Sequence, residues 1–214
     1  MTNQTHRLVV PRAARYVTAG SIEGPLDEVW ILCHGYGQLA SEFLGFARAL
    51  EHPRRLLVAP EALSRFYHED HKRIGASWMT RENRDDEMED YIRYLDLLHD
   101  QLFEIVERER VELRLLGYSQ GAATAARWAV RGRAKIDHLV LWGSPLPPEL
   151  GEDAADALRE TRLTLVGGSR DEFFTEKVWA DERTRLQALG LVFDELSFEG
   201  GHRLDDDTLR ALAS

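Results

Sequence analysis

The pentapeptide Gly117-Tyr118-Ser119-Gln120-Gly121 sets a serine between two glycines, with an apolar run before it and an alanine-rich stretch after it. A serine hydroxyl attacks a carbonyl carbon effectively only when a base takes its proton and a third group orients that base. The Gly-x-Ser-x-Gly spacing suits a nucleophile when a strand enters the turn and a helix leaves it. The sharp turn then projects the hydroxyl beyond the sheet. Residues 112–116 read as that strand and residues 119–131 as that helix. Gly117 and Gly121 leave space where a Cβ would meet neighbouring chain. Ala122, Ala123, Ala125 and Ala126 keep the helix slim, and its N-terminus favours negative charge developing near Ser119.

In this arrangement the acid and the base follow the serine in the order acid, then histidine. Asp171 comes just after the strand-like residues 163–167, and His202 just after residues 192–197, in Glu199-Gly200-Gly201-His202. Both are expected at the sheet edge that carries Ser119. An imidazole there takes the serine proton and later delivers it to the leaving group, while the carboxylate holds the tautomer and stabilises the imidazolium. Asp171 also suits an N-cap for the segment starting near Phe173. Glu172 is a rival acid, and a surface loop histidine is the other reading of His202. Asp205, Asp206 and Asp207 suit the cap and first turn of a last helix. The oxygen that gains charge needs two N–H donors. The backbone of Gln120 offers one. The loop His34-Gly35-Tyr36-Gly37, after the apolar residues 28–33, offers the N–H of Tyr36 as the second, with His34 read as a packed side chain holding the loop.

The elements that must position these groups alternate along the chain. Strand-like runs are predicted at 7–10 and 14–18 (a hairpin around Pro11 and Arg12), 28–33, 55–59, 112–116, 136–142, 163–167 and 192–197. Helical patterns are predicted at 41–50, 84–110, 119–131, 149–159, 174–189 and from Asp205 onward. Residues 61–80 show no persuasive period and read as a long connection of the functional kind. Repeated strand-then-helix order predicts an α/β fold: one domain over residues 1–214, with a mostly parallel central sheet and helices on both faces. All strand-to-helix loops then share one edge.

Composition narrows the function classes. A formal net charge of −10 works against a phosphate-backbone binder, so no nucleic-acid partner is expected. No apolar run is long enough to span a membrane, and the first twenty residues lack a secretory core, which together predict a cytoplasmic protein. Cys33 is the single cysteine and suits a reducing compartment. His68 and His71, near Glu69 and Asp70, have no helix to set ligand spacing, and no metal is expected.

Taken together, His34-Gly35-Tyr36-Gly37, Ala59-Pro60, Ser77-Trp78, Gly117-Tyr118-Ser119-Gln120-Gly121 and Gly201-His202 resemble the phospholipase/carboxylesterase family, which includes the acyl-protein thioesterases. The likeness runs from about residue 28 to about residue 203. It implies an α/β-hydrolase fold, no cofactor, and a small-molecule carboxylic ester or thioester as substrate. It also implies oxyanion donors at Tyr36 and Gln120. The chain departs from the family pattern in having Ala122 where a second glycine is usual, Tyr36 in place of leucine, and an unusual aromatic segment at 66–78. These departures bear on the substrate rather than on the chemistry. Phe66, Tyr67, Trp78, Trp142 and Leu146 are candidates to line an acyl pocket, Phe66, Trp78 and Leu146 foremost. The bulk of Tyr36 predicts a preference for short acyl groups. The alternative reading is a binding protein of the same fold that holds a small molecule without turnover.

Overall fold

A computed structural model describes residues 2–22 and 24–214. In chain order its strands are β1 (Tyr16–Ala19), β2 (Glu28–Cys33), β3 (Arg55–Pro60), β4 (Ser64–Tyr67), β5 (Ile74–Ser77), β6 (Glu112–Tyr118), β7 (His138–Trp142), β8 (Arg162–Gly168) and β9 (Phe193–Phe198). The helices are α1 (Ala40–Phe46), α2 (Arg84–Phe103), α3 (Gln120–Arg131), α4 (Glu152–Ala157), α5 (Glu176–Ala188) and α6 (Asp206–Leu212). Seven strands form one sheet in the order β1-β3-β2-β6-β7-β8-β9, parallel except where β1 runs against β3.

Alternation along the strands sorts the side chains into two cores. Trp30, Leu32, Leu57, Leu116 and Val140 pack with Phe43 of α1 and Leu209 of α6. Val29, Ile31, Leu56, Leu115 and Leu141 pack with Leu95 of α2, Ala125 of α3, Ala154 of α4 and Leu186 of α5. A sheet covered on both faces needs strands apolar on both faces, and β2, β3, β6 and β7 are buried almost throughout. The chain turns from β2 to β3 on one side, while β6 lies on the other, so the strand order reverses between β2 and β6. Crevices at such a reversal, outside the carboxyl ends of the strands, are where these sheets bind ligands. Cys33 and Gly117 are paired at that end.

Three local expectations are corrected. Residues 7–10 form no strand: Leu8, Val9 and Val10 are 84%, 65% and 64% exposed, and Arg7 is held by Asp86 and Glu89 of α2. The edge strand starts at Tyr16 and pairs with β3, because an existing sheet edge stabilises a strand that an isolated hairpin leaves marginal. Residues 61–80 are not a plain connection but contain the antiparallel hairpin β4–β5. The pattern expected to run helical over 84–110 ends at Phe103, followed by a separate 3-10 turn at Arg108–Arg110. Among the described residues no helix is long and apolar enough to cross a membrane.

His138, at the start of β7, is fully buried, with Nε2 2.9 Å from Thr164 Oγ1 and Nδ1 without a hydrogen-bond partner among the described residues. Burial, with the nearby Arg162 and Arg114, lowers its pKa to about 4 from an ordinary 6.5. The unfolded chain therefore takes up this proton first. The contribution is complete above the unfolded pKa and is lost as pH falls toward the folded one. Chemical denaturation at about pH 7 and about pH 4.5 is expected to show that wild type loses about 2–3 kcal/mol more than His138→Gln on acidification. Equal losses would refute this.

Candidate active site

β6 delivers Ser119 in a backbone conformation that L-residues rarely adopt, φ 55° and ψ −118°. Three contacts hold it there. The Ser119 N–H donates to the Trp142 carbonyl at the end of β7, 2.8 Å away. A Cβ on Gly117 would lie 2.3 Å from the Gly121 carbonyl oxygen, and one on Gly121 would lie 2.1 Å from that of Cys33. The turn is thus packed directly onto the end of β2. Ser119 itself is half-buried at the start of α3.

His202 and Asp171 meet across the loops after β9 and β8, with His202 Nδ1 2.8 Å from Asp171 Oδ2. The carboxylate side chain is 2% exposed and the imidazole 14%. The other carboxylate oxygen, Oδ1, accepts the N–H groups of Phe173 at 2.8 Å and Phe174 at 2.9 Å. Asp171 therefore organises the turn before α5 with one oxygen and meets His202 with the other. Glu172, the rival acid, is exposed. The histidine ring is enclosed by groups the sequence did not suggest. Gly143, at φ 68°, follows β7, and a Cβ there would stand 2.8 Å from His202 Cε1. Tyr118 lies tilted at 5.0 Å and donates its hydroxyl to the His202 carbonyl at 2.8 Å. Burial and the Asp171 charge push the Tyr118 phenol up to about 12, so it stays a neutral donor. Among the described residues the Ser119 hydroxyl forms no hydrogen bond to His202. Such bonds are often long without substrate and tighten when it binds.

The loop after β2 is stitched from several sides. His34 is buried, and its burial lowers its pKa. With the proton on Nδ1, the ring donates to the Gly35 carbonyl at 2.8 Å and accepts the Ala62 N–H on Nε2 at 3.1 Å. This is the packed, loop-holding role expected of it. Gln38 Oε1 accepts the Gly35 N–H at 2.8 Å. The β4–β5 hairpin adds two bonds at one glycine: the Gly37 N–H donates to the Ala76 carbonyl at 2.9 Å, and His68 Nε2 lies 3.0 Å from the Gly37 carbonyl. The end of the same hairpin reaches the Gln120 side chain, whose Oε1 accepts the Trp78 N–H at 3.0 Å and whose Nε2 donates to the Met79 carbonyl at 2.9 Å. One hairpin therefore braces both segments that carry the Tyr36 and Gln120 amides, and neither amide has an acceptor among the described residues. A period too short to register hid this hairpin in the sequence; Gly75, which has no room for a Cβ beside Gly37 and His68, was its one local signal.

Side chains expected to line an acyl pocket divide. Phe66 is half-buried and stacks on the exposed Tyr36 with centroids 5.2 Å apart. Tyr67 is exposed, on the same strand. Trp78, Trp142 and Leu146 are instead core residues, 3%, 1% and 0% exposed. Trp78 is fastened by its indole N–H to the His34 carbonyl at 2.8 Å, and Leu146 by its backbone N–H to buried Glu182 at 2.9 Å. Apolar residues near a reactive edge fill the core as readily as a pocket, and these three are fully packed.

No protein-family model matches the chain, and no curated protein matches it by sequence. Solved structures do match. Acyl-protein thioesterase 2 of Zea mays aligns at 19% identity and TM-score 0.68, over 94% of this chain and 98% of its own. Esterase PE8 aligns at 18% identity and TM-score 0.68, over 94% and 96%. The carboxylesterase of Bacillus cereus aligns at 14% identity and TM-score 0.69, over 94% and 92%. The chain has the α/β-hydrolase fold. At these identities the likeness concerns the backbone. Within the α/β-hydrolase fold, Ser119 follows the central strand β6, and Asp171 and His202 follow β8 and β9.

Proposed function

We propose that this protein is a serine hydrolase that cleaves carboxylic esters or thioesters through an acyl-enzyme on Ser119. The observation that carries the reading is that the strained Ser119 turn shares one sheet edge with the pair formed by His202 Nδ1 and Asp171 Oδ2, atoms 2.8 Å from each other. His202 Nε2 takes the hydroxyl proton as Oγ bonds to the carbonyl carbon. The Tyr36 and Gln120 N–H groups stabilise the charged oxygen, and the imidazolium protonates the departing oxygen or sulfur. Water then repeats the sequence to release the acid. No cofactor or metal takes part in this scheme. A preference for short acyl groups goes with this reading and is supported by the bulk of Tyr36, a member of the donor loop whose ring stacks on Phe66.

Labelling with a fluorophosphonate probe tests the reading. Wild type is expected to be labelled and Ser119→Ala not, with turnover on a panel of esters and thioesters following the same pattern. A folded wild-type protein that takes no label would support the binding-protein reading instead. His68→Ala is expected to lower kcat by about tenfold with KM nearly unchanged, because freeing the Gly37 carbonyl loosens a donor used chiefly in the transition state. A matched change in KM alone would refute that role.

A further inference from the structure

Two aromatic rings touch the His202 imidazole, and they differ in one respect. Tyr118 is buried in the sheet, whereas Phe173, edge-on at 4.9 Å, is 66% exposed. Substrate must approach His202 from solvent, so Phe173 is the ring it meets. The ring is not on a loose loop. Its own N–H is bound by Asp171 Oδ1 at 2.8 Å, and the next residue, Phe174, is buried against Trp179 with centroids 4.7 Å apart. The carboxylate that meets His202 thus also fixes where Phe173 stands.

We propose that Phe173 is a specificity residue for the leaving group and selects esters of apolar, especially aromatic, alcohols. This rests on the serine-hydrolase reading above. In that reaction the Ser119 Oγ–carbon bond forms and the carbon–alkoxy bond breaks, and the alcohol oxygen receives its proton from His202. The alcohol oxygen must therefore lie within hydrogen-bond reach of the imidazole, and the group attached to it passes beside whatever covers the imidazole on the solvent side. That surface is a phenyl ring. Arg170 and Arg203, next in sequence to Asp171 and His202, are each paired, with Glu199 at 3.1 Å and with Asp205 at 3.2 Å, which favours recognition of an apolar alcohol over an anionic one. Aromatic groups meet such a ring edge-on or offset with a gain beyond their area.

The test compares benzyl butyrate with methyl butyrate. Both give the same butyryl-enzyme, so any difference in kcat/KM reports the acylation step and its leaving group. Phe173→Ala is expected to lower kcat/KM about tenfold on the benzyl ester and less than about twofold on the methyl ester, with Phe173→Leu between. The rate of Ser119 labelling by a small fluorophosphonate is expected to stay near wild type. Equal losses on both esters, or slowed labelling, would show that the ring only supports the imidazole and would overturn the proposal. Wild type without Ser119-dependent turnover of either ester would overturn the hydrolase reading itself, and this one with it.

Discussion

Ser119→Ala is expected to lower kcat on any ester substrate by at least about ten-thousandfold, to the level left by binding and the two amides alone. The loss is large because nothing replaces the attacking oxygen. Asp171→Asn is expected to fall about as far for a different reason. The Asp171 oxygen that accepts the Phe173 and Phe174 amides would be kept, but the new amide nitrogen would face His202 Nδ1. The imidazole would then carry its proton on Nε2 and could not take one from serine. Stability measurements separate this from damage to the fold. Ser119 occupies φ 55°, a region that costs an L-residue on the order of 1–3 kcal/mol and glycine almost nothing. Ser119→Gly is therefore expected to be as inactive as Ser119→Ala yet more stable than it by about 1 kcal/mol. Denaturation of the two variants alongside their kinetics checks both claims. A Ser119→Ala protein with more than about a hundredth of wild-type activity would remove Ser119 from the mechanism.

Gly121→Ala carries the second large effect. Its Cβ would be placed 2.1 Å from the Cys33 carbonyl oxygen and 2.5 Å from that of His34, both backbone atoms of β2 and its loop. Neither can swing aside as a side-chain tip would. The start of α3 must therefore back away from β2 by on the order of 1 Å, which carries the Gln120 N–H away from the Tyr36 N–H. Displacement on that scale costs about a hundredfold in rate, and forced overpacking costs about 1–3 kcal/mol in stability. Gly45→Ala, in α1, is the matched control, since a Cβ there meets nothing within 4 Å among the described residues. It is expected to be neutral or slightly stabilising. Thermal melts and ester turnover measured on both variants decide the matter, and a Gly121→Ala protein as stable and active as Gly45→Ala would refute the close approach.

Much of the architecture could be read directly from the residues. Continuous apolar runs such as EVWILC at β2 mark strands covered on both faces, and their alternation with helical patterns implied the parallel sheet that is observed. The N-terminal hairpin failed because Leu8, Val9 and Val10 carry strand propensity but find no edge to pair with, while β3 offers one to Tyr16–Ala19. Asp171 reads in the sequence as either a helix N-cap or a partner for histidine; Thr175 caps α5, while one Asp171 oxygen binds the Phe173 and Phe174 amides in the turn before it and the other meets His202.

The division at the site follows from range. The Ser119 turn is written in five consecutive residues, since strand, tight turn, small residues and helix are all local properties of the chain. Its strained dihedral follows from contacts that glycines at 117 and 121 permit. What surrounds it depends on pairs distant in sequence: the hairpin bonds to Gly37 and Gln120, the packing of Tyr118 on His202, and the seating of Phe173 by Asp171 against that ring. Whether an aromatic residue fills the core, as Trp78 does, or faces solvent beside the imidazole, as Phe173 does, is not a property of the residue. Burial of an apolar ring is favourable wherever space exists, and the folded chain alone sets where that space is.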